Sequence, residues 1–149
     1  MSRGWPGSEL LLLVPLLLGG LGCGTVKSPT EPPSAPAGGV EAFTFSRIQA
    51  EVFTPTCAKA GCHSAAAASQ GLVLEAGQAY GFLVGRPATG RGSINRVEAG
   101  SPESSYLILK LRGDPSITGQ RMPLDGPPYL TAGQIDGIAA WIRAGAPND

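Results

Sequence analysis

The tightest constraint in this chain is the segment Cys57-Ala58-Lys59-Ala60-Gly61-Cys62-His63, which sets two thiols four residues apart with an imidazole directly behind the second. His63 is the only histidine of the 149 residues, and Met122 is the only methionine apart from the initiator. A zinc site would need four ligands, and no further Cys or His stands in the domain to complete the set. A disulfide between Cys57 and Cys62 remains open, because small exported domains gain from such staples. Its loop would be short, so by the loop-entropy argument it stabilises less than the ~3 kcal/mol of a fifteen-residue loop, and it gives His63 no role.

Export is expected from the N-terminus. Residues 10–18 read LLLLVPLLL, long enough for a signal-peptide apolar region and too short to span a bilayer comfortably. Gly20 and Gly22 precede Cys23, and the arrangement resembles a bacterial lipobox, with residues 1–22 as signal peptide and an acylated Cys23 as the first mature residue. Ordinary cleavage at the same small residues would leave a soluble protein with a free thiol. The resemblance to lipoprotein sorting, with Gly24 rather than Asp after the cysteine, leans toward an outer membrane. Four prolines and little apolar mass through residue 40 predict a disordered, partly polyproline tether over 23–40, reaching roughly 50 Å at ~3.1 Å per residue.

Eleven basic against eleven acidic residues, with a pI near 6.6, do not make a nucleic-acid binder. The densest cationic stretch, Arg86, Arg91 and Arg96, reads as a solvated loop. Residues 41–149 are expected to be one all-α domain of short helices joined by long loops, since Gly and Pro supply 36 of 149 residues. Ser46 with Gln49 predicts a capping box and a first helix ended by Pro55; residues 76–84 predict a second, weakened by Gly77 and Gly81. The run YLILKLR (106–112) fits a buried strand, but Ser101, Pro102, Glu103 and Gly113 favour a helix. Thr131 and Gln134 cap the clearest helix, with Ile135, Ile138, Ala139 and Ile142 at helical spacing, Trp141 at its edge, and Gly145 and Pro147 beyond its end. Eight aromatics in so small a domain are few, so a non-protein filler is expected at its centre.

Two thiols and an adjacent histidine also suit covalent haem, with one thioether to each vinyl group and the imidazole beneath the iron. The usual spacing is C-x-x-C-H; here the spacer is two residues longer, and Gly61 eases the extra bulge by tolerating positive φ. Over most of residues 43–146 the chain resembles the cytochrome c family, specifically exported bacterial c-type domains with a lengthened C-x4-C-H. The Gln120-Arg121-Met122-Pro123 segment and the terminal Trp141-Ile142-x-x-Gly145-Ala146-Pro147 pattern carry the rest of the likeness. The resemblance implies a small helical domain around one haem c, thioethers at Cys57 and Cys62, and His63 and Met122 as axial ligands. Arg121 then faces a haem propionate or is simply solvated.

The function so implied is a membrane-tethered monohaem cytochrome that passes single electrons to partner proteins on the periplasmic side of a bacterial membrane, not an enzyme. With both axial positions filled, no coordination site is left for peroxide, and no second histidine accompanies a Ser or Cys nucleophile. Two other readings stand beside it: a haemless, disulfide-stapled interaction module on a lipoprotein stalk, and a peroxidase-like haem protein in which Met122 leaves the iron on reduction.

Overall fold

Thr44 starts the described fold by accepting the Arg47 N–H on its Oγ1 at 3.2 Å, the N-cap of helix α1 (Phe45–Ile48). The structure is a computed structural model that describes residues 43–149. The expected signal peptide, Cys23 and the tether lie outside the described residues. Ser46 is not the cap. Its hydroxyl donates to Asp149 Oδ2 at 2.8 Å, while Asp149 Oδ1 accepts the Phe45 N–H at 2.6 Å.

Nor does Pro55 end the helix. α1 passes directly into a nine-residue π-helix, Gln49–Cys57, with Pro55 inside it. A proline stops an α-helix because its ring meets the carbonyl of the preceding turn, and the wider π-turn relieves that clash. Gln49 points inward and donates to Thr54 Oγ1 at 3.0 Å and to the Leu74 carbonyl at 2.9 Å.

The all-α expectation is corrected in the middle of the chain. After α2 (Ala79–Leu83), β1 (Pro87–Ala88) pairs antiparallel with β2 (Arg91–Asn95), pairing Pro87 with Asn95 and Ala88 with Arg91 across a bulge. Thr89 and Gly90 form the two-residue turn, with Gly90 at φ +73°, a conformation open to glycine. Backbone bonds from Arg96 N to Arg86 O and from Val97 N to Leu83 O carry the pairing back to the end of α2. The three arginines are therefore not a solvated loop. Arg86 donates to the Gly81 carbonyl, Arg91 to that of Ser116, and Arg96 to those of Phe82 and Gln70. Burial first, and then the nearby Arg86 charge, lower the pKa of Arg96.

Ser101 does not cap one long helix. Pro102–Ser104 form a single 3₁₀ turn, and the chain straightens at Ser105 before α3 (Tyr106–Arg112). Ser105 is fully buried; its hydroxyl accepts the Glu98 N–H and donates to the Ser101 carbonyl, both at 2.9 Å. That local bonding competes with a helical path. Gly113, at φ +71°, closes α3 as expected.

α4 (Ala132–Arg143) forms where its periodicity places it, with both halves of the Thr131/Gln134 capping box made. Trp141 is not at its edge. It is 1% exposed, lies 5.5 Å from Phe45 ring to ring, and donates its Nε1 hydrogen to the Pro147 carbonyl at 2.9 Å. Phe45 also meets Tyr80 edge-on at 5.3 Å and Phe53 at 6.3 Å. These rings, with Ile48, Leu83, Ile108, Ile138 and Ile142, fill the centre, so protein side chains stand where a non-protein filler was expected.

Replacing Thr131 with Ala removes the α4 cap and is expected to destabilise the domain by about 1 kcal/mol in urea unfolding. The Ser46 hydroxyl, with the Ser46 and Phe45 N–H groups, holds the Asp149 carboxyl below its usual range. A depressed carboxylate stabilises the fold above its unfolded pKa of about 3.9 and loses that effect as pH falls through the folded value. Asp149→Asn should therefore lower stability at neutral pH, and the difference from the parent should vanish on acidification.

Candidate functional site

The π-helix delivers Cys57 to the edge of the core, and a tight backbone knot carries the chain on from there. The His63 N–H donates to the Cys57 carbonyl at 3.1 Å and the Cys62 N–H to the Lys59 carbonyl at 2.9 Å. Gly61 sits at φ +81°, the conformation its place in the spacer predicted. Beyond the motif, Ser69 N donates to Cys62 O at 3.1 Å and Leu74 N to His63 O at 2.8 Å, so the chain folds back over the histidine.

Both cysteines carry free thiols, Cys57 half-buried and Cys62 exposed. Burial pushes the Cys57 thiol up to about 12; the Lys59 charge opposes this and the Asp125 charge adds to it. At neutral pH Cys57 is a protonated thiol, the opposite of an activated nucleophile.

His63 is half-buried, with Nδ1 3.2 Å from the Leu72 carbonyl oxygen. A carbonyl oxygen only accepts, so this contact places a hydrogen on Nδ1, and in the neutral ring the lone pair then falls on Nε2. Metal-binding histidines are commonly held in this way. The sequence offered no signal for Leu72, because its contribution is a main-chain oxygen that any residue supplies.

Met122 is half-buried on the loop between α3 and α4, and its N–H donates to the Lys110 carbonyl at 2.9 Å. Its side chain packs against the same hydrophobic cluster as Cys57, Ala58 and Leu72. Arg121 is neither solvated nor free: Nε donates to the Leu111 carbonyl at 2.8 Å, and the guanidinium lies 4.1 Å over the Tyr129 ring. Lys59 Nζ, inside the cysteine spacer, donates to Asp125 Oδ2 at 2.8 Å and ties the hairpin to the methionine loop. The sequence reading missed this pair, although opposite charges in the two candidate segments were its available signal.

The donor set fits a haem. Two unjoined thiols precede an imidazole whose Nδ1 is held by a main-chain oxygen, and the Cys57 and Met122 side chains pack against the same apolar cluster. Among the described residues no group of three or more His, Cys, Asp or Glu side chains is placed to hold a metal ion. A surface depression of about 420 Å³, lined by Gln78, Gly81, Phe82, Arg86 and Arg96, takes in none of the four candidate ligands. No helix among the described residues is long and apolar enough to cross a membrane.

No protein-family model matches the chain, and neither a curated protein nor a solved structure shows significant similarity to it.

In the haem-free, reduced protein, iodoacetamide at pH 8 is expected to modify exposed Cys62 well before Cys57, because the thiolate is the nucleophile and burial suppresses it at Cys57. Site-resolved mass spectrometry reads the order. Equal rates would contradict the burial described for Cys57.

Proposed function

We propose that this protein is a monohaem c-type cytochrome that carries single electrons outside the cytoplasm. In this reading Cys23 tethers it by lipid to the periplasmic side of a membrane, and Cys57 and Cys62 hold one haem c through thioethers. The observation that carries the reading is the His63 imidazole, directly after two free thiols, with Nδ1 on the Leu72 carbonyl and Nε2 left open. When bound, the haem supplies a one-electron iron couple.

The chain's own residues do the rest. Leu72 sets the imidazole tautomer, and its hydrogen bond makes His63 a stronger donor. Met122, a soft thioether on the loop between α3 and α4, would favour ferrous iron and raise the reduction potential. The buried cluster beneath Cys57 and Met122 keeps water from one side of the site and lowers the local dielectric. His63 and Met122 would hold the iron between them, a pairing that would suit electron transfer rather than turnover of peroxide. Soluble or membrane-bound redox proteins are the partners it implies.

Expression of the full chain with c-type haem maturation proteins tests the reading. The expected product has a visible Soret band that survives acid–acetone extraction, and Met122→Ala converts its low-spin spectrum to a high-spin or ligand-binding one. A colourless protein with Cys57 joined to Cys62 would instead support a stapled interaction module. An unchanged low-spin spectrum would remove Met122 from the axial role, and rapid peroxide turnover in stopped flow would favour a peroxidase.

A further inference from the structure

The spacer between the two cysteines is longer than haem attachment needs, and one of its residues reaches across the site. Lys59 Nζ lies 2.8 Å from Asp125 Oδ2. Asp125 stands three residues after Met122, beyond Pro123 and Leu124. The near half of the loop is already fastened to α3, by Met122 N on the Lys110 carbonyl, Arg121 Nε on the Leu111 carbonyl, and Lys110 Nζ on the carbonyls of Thr118 and Gln120. Its far half has one backbone bond of its own, Gly126 N to Pro123 O at 3.2 Å, and packs through Tyr129 under Arg121 and through buried Leu130, while the Leu124 side chain between is 62% exposed. Lys59 thus joins the far half of the loop directly to the cysteine hairpin.

We infer that Lys59 and Asp125 are positioning residues that hold the Met122 loop closed over the haem, so that the lengthened spacer serves as half of a clamp on the sixth ligand. This rests on the proposed haem reading. The hydrogen bond between the two groups raises the pKa of Lys59 and lowers that of Asp125, which keeps both charged at neutral pH. Both side chains face solvent, so salt screens the pair and its effect is modest. A clamp of this kind tunes how readily Met122 gives way to another ligand without deciding whether the domain folds.

The test is a titration of the ferric, haem-loaded full chain with imidazole, which competes with Met122 for iron. Asp125→Asn and Lys59→Ala should each raise imidazole affinity about two- to five-fold, the range expected for an exposed ion pair. The charge swap Lys59→Glu/Asp125→Lys should restore the parental value, which simple loss of stability would not do. Raising NaCl to about 1 M should bring the parent toward Asp125→Asn and leave that variant unmoved. In the haem-free protein, Lys59→Ala should also speed amide exchange at Gly126. Unchanged affinity in both single variants, alongside a clear rise in Met122→Ala, would overturn the clamp alone. No covalent haem, or no rise in Met122→Ala, would overturn the haem reading and the clamp with it.

Discussion

Phe45 joins segments that are far apart in sequence. Its ring touches Phe53 from the same helical run, Tyr80 from α2 and Trp141 from α4, and the backbone beneath it is held by Asp149. Because α1 runs unbroken into the π-helix that ends at Cys57, the packing of this one ring sets where the cysteine hairpin begins. Tyr80 reinforces the arrangement by donating its hydroxyl to the Ala146 carbonyl at 2.9 Å, which locks the turn after α4 onto α2. Aromatic pairs of this geometry add about 0.5–1.5 kcal/mol each beyond the area they bury. In a domain with few aromatics, most of that benefit is concentrated at one point.

The site hangs from this cluster. Cys57 and Met122 pack against it from two different segments, and His63 is held by main-chain bonds from residues on either side of the hairpin. The imidazole is oriented by backbone oxygens, while the methionine loop adds side-chain bonds from Arg121, Lys110 and Lys59 to the main-chain bond of Met122. Backbone bonds hold one geometry; long side chains allow several.

Legibility in the sequence followed the strength of local physics. α4 was readable because its capping box and its isoleucine spacing agree, and α3 because Gly113 closes an apolar run. Gly61 was readable because a lengthened spacer between two cysteines must bulge, and glycine tolerates the positive φ that it adopts. The β-hairpin was not, since Arg91–Asn95 shows no alternation and only Ala88 of β1 is buried; backbone pairing and arginine bonds to distant carbonyls hold it. Trp141 was misplaced because helical spacing alone does not say how wide a buried face is, and here Phe45 draws the indole inward. The candidate ligands were visible as residue types, but Leu72, whose main-chain oxygen orients the imidazole, had no signature to find.

The π-winding before the hairpin also decides which way the first thiol looks. In an α-helix the residue stacked over Val52 would be Thr56, four positions on. A helix bonded five residues apart turns less per residue, which brings Cys57 round toward the core-facing side of Val52 as well, with Thr56 half-buried beside it. Pro55, by holding that coil open, works as the indexing pin of a dial: a straightened, one-residue-shorter helix would leave the chemistry of the chain unchanged and aim it somewhere else.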